Sequence, residues 1–521
     1  MCEHRVSFPL IDVCLRVSSE ESNQVLIAGG MGLSMKKTLL SFILATMLCM
    51  LIGACAETLS LPEDLRVIGD EAFANVKVDF VVFPNDLTSI ADSAFQGASF
   101  IGTGEPGIYA QHWCEIHGFE YRPYETDPQW FEWTRLKDDS LKITKYTGTD
   151  KRVFVPASID GLPVSELGTA AFMTNKTLEV VTIPESVKTI GGSAFERCSN
   201  LKEVRLSEGL DKIMGFAFSA CPALTEIDLP DSITTIEGGA FGKSTALTTV
   251  RLPAGLTSTP RGYSTNGPFN GSETITKVIF PASMTVLPDC VCWGMSALTD
   301  IVWPTMPTKI GDGAFAYCEA LKKVMVPNGV TTLGYYAFKG CTSMTSITFP
   351  SGITSVGGEC FRDCEALTRL DLPDSVHFIG GGAFRNCVSL SYFHYPEGYY
   401  ETNNYGDTGL SVSKCNTIFY GCTSLKRITV PEGVVKIPAR TFMNATALEQ
   451  VTFPSSLQEL DTWAFRACPS IKTLYVPSNV LRFGEGVFVD NTELVVQCVK
   501  PSLVYTYCVE NNVPYEIVTG N

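Results

Sequence analysis

Nineteen cysteines are the first candidates for chemistry in this 521-residue chain. Thiols act as metal ligands, nucleophiles or disulfide partners, and their spacing separates these roles. Eight of them (Cys198, Cys221, Cys318, Cys341, Cys364, Cys387, Cys422 and Cys468) each follow a phenylalanine by three residues. Ser244, Ser272 and Ala445 take the same offset elsewhere. A zinc site needs paired Cys-x-x-Cys knuckles that converge. A column that tolerates serine and alanine reads instead as a buried ladder, with cysteine acting as a small hydrophobe and weak donor. Outside it, Cys290 with Cys292 and Cys498 with Cys508 can pair in an oxidising compartment.

The remaining motifs carry less. His112-x-Cys114-x-x-His117 holds metal-ligand types, but offsets of two and five do not gather one helical face. Gly102-Thr-Gly104-Glu-Pro-Gly107 matches a dinucleotide pattern by letter and lacks a βαβ unit, with Pro106 inside it. Gly242-Lys243-Ser244 resembles a phosphate loop, yet Glu237 stands where the earlier glycine belongs. None of the five histidines has an identifiable catalytic partner. The reading is therefore no enzyme, no cofactor and no metal. Asp and Glu number 55 against 39 Lys and Arg, a formal charge of −16, which argues against nucleic acid as a partner.

Cys55 is a separate case. Met35-Lys36-Lys37 precedes an apolar run from Leu39 to Ile52 and then Gly53-Ala54-Cys55-Ala56. A basic start, a short apolar stretch and small residues form a secretory signal over 35–56, too short for a membrane span of about 20 residues. Ile52-Gly-Ala-Cys55 resembles a bacterial lipobox, which makes Cys55 a lipidation site; Ala54-Cys-Ala56 equally suits ordinary cleavage. A membrane is expected as a partner only through that anchor. Residues 1–34 form a doubtful extension, with translation expected to start at Met35 or Met31.

The elements that position these residues repeat. Aromatic positions recur at Phe172, Phe195, Phe218, Phe241 and Phe269, then from Phe315 to Phe384, then from Phe419 to Phe488, mostly 23 residues apart, with Cys292 in one slot. A proline column keeps step, from Pro184 to Pro477. Both columns agree on a five-residue insertion before Phe269 and a twelve-residue insertion before Phe419. That makes fourteen units, with two more at Phe73 and Phe95. Such a period predicts a solenoid rather than several globules. Leu201-Lys-Glu-Val-Arg-Leu206 alternates like a short half-buried strand. Proline then ends the strand, a second short strand follows, and Ala194-Phe-x-x-Cys198 is spaced like one helical turn. Fourteen stacked units reach on the order of 65 Å.

Leu-x-x-Val-x-Ile-Pro-x-x-Val-x-x-Ile-Gly-x-x-Ala-Phe-x-x-Cys resembles the BspA-type leucine-rich-repeat family, over about residues 58–520. The resemblance implies a leucine-rich-repeat solenoid with very short strands and helical turns. It further implies a bacterial surface or secreted protein, implicated in adhesion.

A solenoid needs capped ends. Pro501 to Glu510 followed by Val513-Pro-Tyr515, and Pro106 to Glu115 followed by Gly118 to Tyr121, both read as a short helix and a closing strand. The cap from Pro106 closes a short block over 57–125. Residues 126–155 lead into the main solenoid over 156–521. The larger insertion and its flank carry Tyr392, His394, Tyr395, Tyr399, Tyr400 and Tyr405 among Asn, Gly and Thr. Aromatics in a loop on one face suit recognition, so these six are the candidate ligand-binding residues. The expected role is extracellular binding or adhesion, toward a host matrix or cell-surface protein or a glycan. The alternative is a structural or ligand-capturing surface protein without adhesion.

Overall fold

The computed structural model describes residues 58–62, 64–104, 108–124, 126–260, 267–397 and 417–519. Cys55 and the signal segment lie outside these residues, as do Tyr399, Tyr400 and Tyr405. Two compact units divide the chain, 1–125 and 126–521.

In the larger unit the coils have three sides. The first is, in most coils, a strand of three or four residues, such as Lys323–Met325, whose middle residue Val324 is buried between exposed neighbours. It pairs in parallel with the next coil, Lys323 opposite Ser346 and Met325 opposite Thr348. The proline that follows has no amide to continue the ladder, so the chain turns. The second side is a two-residue strand, and Lys309–Ile310, Thr332–Leu333, Ser355–Val356 and Phe378–Ile379 stack in register.

The third side differs from the helical turn its spacing predicts. In most coils two residues, two before and two after the repeat aromatic, take left-handed backbone angles: Ser193 and Arg197, Tyr336 and Gly340, Glu359 and Asp363. Alternate amides then point at the next coil. Gly313, Phe315 and Tyr317 donate to the carbonyls of Tyr335, Ala337 and Lys339 at 2.7, 2.8 and 2.6 Å. The amides between them close local turns, Ala314 onto Gly311 at 3.3 Å and Ala316 onto Gly313 at 3.1 Å. Left-handed angles cost a non-glycine residue about 1–2 kcal/mol, and the inter-coil bonds offset that. Among the described residues, the α-helices are the two caps, α1 (Tyr109–Ile116) and α2 (Leu503–Glu510).

Repeat aromatics stack down the core. Phe195 and Phe218 lie 5.0 Å apart at 2°, and Phe338 and Phe361 lie 5.6 Å apart at 3°. Cys292 leaves a gap that Phe280 and Trp303 fill by packing edge-on against Phe315.

Both ends of the larger unit are closed. At the start, Phe131–Arg135 pairs antiparallel with Leu141–Tyr146, which then pairs in parallel with Leu162–Leu167. The hairpin covers an edge that would otherwise template another chain. At the finish, α2 buries Val504 and Cys508, Ser502 caps it by accepting from the Tyr505 amide, and Tyr515–Ile517 pairs with Val495–Cys498.

The smaller unit has its own core, including Phe83, Phe95 and Trp113. Its cap strand Tyr121–Pro123 pairs with Ser99–Gly104, Tyr121 opposite Gly102, as Tyr515 stands opposite Val496. The matching of the two caps is thereby slid one residue from Pro106 against Pro501, and Cys114 corresponds to Cys508.

Candidate functional site

Tyr392 and His394 sit on the strand Tyr392–His394, both exposed, with Phe393 buried between them. The strand pairs with Arg369–Asp371, so Tyr392 lies beside Arg369 and His394 beside Asp371. The Arg369 guanidinium stands 4.0 Å over the Tyr392 ring and bonds Asp371 at 2.6 Å. His394 Nε2 reaches Asp374 Oδ1 at 3.8 Å, and that oxygen accepts the Glu397 amide at 3.0 Å. This is a polar, aromatic surface where the chain departs into 398–416. It offers donors, acceptors and one ring edge, without an activated nucleophile.

Tyr395 goes elsewhere. It is buried, 5.0 Å from Phe393 and 5.9 Å from Phe419, edge-on to both. The period explains this. It occupies the column just before the proline, with Ile183, Leu229, Leu252 and Val476, all buried. The signal was present in the repeat, and the local density of tyrosines masked it. Tyr395 is thus a core residue, while Tyr392 and His394 face solvent.

The cysteine column has a definite chemistry. Each Sγ donates to the carbonyl of the preceding unit's aromatic position: Cys198 to Phe172 at 3.1 Å, Cys318 to Cys292 at 3.3 Å, Cys341 to Phe315 at 3.3 Å, Cys364 to Phe338 at 3.2 Å, Cys468 to Phe442 at 3.0 Å. Ser244 and Ser272 make the same bond at 3.2 and 2.9 Å. The column therefore selects a small side-chain donor, with Ala445 the exception. Burial pushes the Cys198, Cys341 and Cys422 thiols up to about 12, which keeps the donor proton in place. None of the fourteen described cysteines is in a disulfide, Cys290, Cys292, Cys498 and Cys508 among them.

The other motifs resolve into structure. His117 stacks on Trp113 at 4.1 Å, with Nδ1 on the Trp113 carbonyl at 2.8 Å and Nε2 facing Asp92 at 3.3 Å, while Cys114 is buried. Among the described residues no cluster of His, Cys, Asp or Glu is placed to hold a metal ion. Gly102 and Gly104 make room for the Tyr121 ring, whose atoms would lie 2.7 and 2.6 Å from a Cβ at those positions. Ser244 of the phosphate-loop-like triplet belongs to the donor column.

A second surface went unread in the sequence. On the turn side, Trp293 packs 5.2 Å from Tyr317 and lies over Gly313; Tyr317 lies over Gly340. Farther along, cations meet rings: Lys339 over Tyr336 at 4.9 Å, Arg385 over Tyr420 at 4.7 Å, Arg440 over Trp463 at 4.6 Å. The signal was the position directly after the repeat aromatic, which reads Lys339, Arg362 and Arg385 in successive coils.

The profile of the family described as BspA type leucine rich repeat region matches residues 53–102, 165–299, 290–406 and 414–508. The chain belongs to the BspA-type leucine-rich-repeat family. Among solved structures, this family member is similar to a leucine-rich repeat protein from Bacteroides ovatus, at 20% identity and a TM-score of 0.52, over 76% of this chain and 100% of that one. That likeness supports the solenoid fold. A leucine rich cell surface protein from Faecalibacterium prausnitzii is 26% identical over 70% of this chain and 95% of its own, with a TM-score of 0.41. The T. pallidum leucine rich repeat protein is 30% identical over 38% of this chain and 91% of its own, with a TM-score of 0.34. No curated protein matches the BspA-type chain. Membership in this leucine-rich-repeat family points to protein binding, the use such repeats most often serve.

Proposed function

We propose that this chain is an extracellular binding protein of adhesive type, secreted or held at the bacterial surface through a lipid on Cys55. Its ligand is a host matrix or cell-surface protein. The observation that carries this reading is the first-strand face. Each coil presents two outward side chains from a buried, hydrogen-bonded backbone, as Arg369 and Asp371 do beside Tyr392 and His394. A rigid surface loses little entropy on binding, and repeated contacts along it add through effective concentration. Tyr392 and His394 are the residues expected to anchor the ligand, with the neighbouring 398–416 segment and its Tyr399, Tyr400 and Tyr405.

The test is binding of the full chain to immobilised matrix proteins and to a glycan panel at physiological salt. Retention on a matrix protein, weakened at least fivefold by Tyr392→Ala with His394→Ala or by deleting 397–412, supports the reading. No retention on any matrix protein overturns it. Retention on glycans alone transfers the function to ligand capture, the second reading, which the ring-and-cation turn surface favours.

A further inference from the structure

The closing strands of the two caps share a register and differ in one backbone donor. In the smaller unit the Gly102 amide donates to the Glu120 carbonyl at 2.8 Å, and the Tyr124 amide to the Gly104 carbonyl at 2.7 Å. In the larger unit the Val496 amide donates to the Pro514 carbonyl at 2.8 Å, and the Val518 amide to the Cys498 carbonyl at 3.0 Å. Tyr121, Arg122 and Pro123 therefore match Tyr515, Glu516 and Ile517. Alternate residues of a strand bond to alternate sides. Arg122 and Glu516 bond inward, so Tyr121 and Pro123, like Tyr515 and Ile517, turn their backbone groups outward. Pro123 has no amide to offer, which is one way a sheet edge is blunted. Ile517 keeps its amide. Among the described residues Tyr515–Ile517 is the last strand of its sheet, so its outer side presents the amides and carbonyls of both Tyr515 and Ile517.

The side chains narrow what this edge accepts. Tyr515 and Ile517 stand opposite the buried Val496 and Cys498 and share their core-side face, yet both are exposed, Ile517 at 47%. Tyr505 meets the Tyr515 ring edge-on at 5.3 Å. Val509 lies four residues on from Tyr505, on the same face of α2, and is exposed. Val509, Tyr515 and Ile517 thus form an apolar ledge beside open hydrogen-bonding groups. An occupant must bring an extended strand with its outward groups in step and apolar side chains on the same face. A second copy of this edge meets both requirements. Antiparallel about a two-fold axis, Ile517 faces Ile517 of the other copy, and Tyr515 faces its Thr519. Charge selects that register. An axis at Glu516 would set two carboxylates directly opposite, which is destabilising. An axis at Ile517 sets Glu516 against Val518, while Gln497 Nε2 donates to the Glu516 carboxylate at 2.9 Å within each copy.

We propose that this chain forms a tail-to-tail dimer by antiparallel pairing of Tyr515–Ile517 about a two-fold axis at Ile517, with Val509 and Tyr515 completing the apolar contact. The pairing stands apart from the adhesive reading, whose test is ligand binding.

The experiment is sedimentation equilibrium and light scattering of the full chain up to about 100 µM, where a dimer with a Kd on the order of 10 µM is mostly assembled. The expected result is a concentration-dependent dimer. Ile517→Pro reproduces the backbone of the other cap and should weaken the dimer about tenfold or more with an unchanged melting temperature. Ile517→Lys sets like charges opposite each other and should do the same. Ile517→Cys places two thiols across a hydrogen-bonded pair, with Cα atoms about 5.5 Å apart and within disulfide range. Oxidised glutathione should then link two such chains, taking up both thiol protons as two reduced glutathiones. Glu516→Cys should link no faster than the unsubstituted chain. A monomer at about 100 µM, a dimer of equal affinity in Ile517→Pro and Ile517→Lys, or faster linking of Glu516→Cys than of Ile517→Cys overturns the proposal. If Ile517→Pro instead abolishes matrix-protein binding by a monomeric chain, the edge serves a partner's strand and the proposal likewise falls.

Discussion

The strand face and the turn face of the same coils are built on one period and one core, yet they constrain residues differently. On the strand face every residue is extended, and the outward positions vary freely: Met325, Thr348, Asp371 and His394 follow one another in register. On the turn face two positions in most coils are left-handed, and glycine or a strained side chain must stand there. A glycine there becomes a floor for a neighbour's ring, as Gly340 is for Tyr317. Extended backbone thus leaves the surface open to change, whereas left-handed backbone couples each coil's surface to the next.

The largest contrast is expected at the shared core. Phe338→Ala removes a ring stacked between Phe315 and Phe361 and should cost about 3–5 kcal/mol in chemical denaturation. If it costs less than 1 kcal/mol, the aromatic stack is not what holds the turn side. Next is Gly340→Ala, at φ +71° with a Cβ 2.6 Å from the Tyr317 ring. The expected loss is about 1–3 kcal/mol. Thr348→Ala on the strand face should stay within about 0.5 kcal/mol. Equal losses in the two would abolish the distinction between the faces.

The thiol column gives a pH test of intermediate size. Cys364→Ala should lose about 1–2 kcal/mol with its hydrogen bond to the Phe338 carbonyl, and Cys364→Ser should lose less. The Cys198, Cys221, Cys341, Cys422 and Cys468 thiols are pushed up to about 12 by burial. An unfolded thiol titrates near about 8.5. As pH rises the unfolded chain releases protons first, so this contribution is complete below about pH 8.5 and is lost toward pH 12. Melting temperature measured across that range should fall, and fall less steeply when column cysteines are changed to serine.

The smallest expected effect lies on the strand face. The Lys151 and Lys202 ammonium groups, at 2.7 and 2.8 Å, hold the Glu179 carboxyl down to about 2. Its contribution is present above the ordinary carboxylate range and is lost as pH falls from about 4.3 toward 2. Glu179→Gln should flatten the acid limb of the melting curve slightly. An unchanged acid limb would show that these strand-face ion pairs are screened.

Much of the fold was legible because the period is a one-dimensional property. Proline and phenylalanine columns locate each coil, both insertions and the buried column that claims Tyr395. The site was less legible. Phe-x-x-Cys spacing turns both side chains inward in a helical turn and in a left-handed turn alike, so residue order does not separate them. Arg385 and Tyr420 are 35 residues apart in the chain, with the longer insertion between them, and only stacking brings the guanidinium onto the ring.

Residue order alone therefore determined the repeat, the stack and the family, because hydrophobic period and proline punctuation act locally within each coil. Tertiary structure decided the backbone handedness of the turns, the donor role of the cysteines and the placing of Arg385 over the Tyr420 ring. Each of these is a relation between one coil and the next, and it exists only once a carbonyl, a ring or a carboxylate from the neighbouring coil is, or is not, within reach.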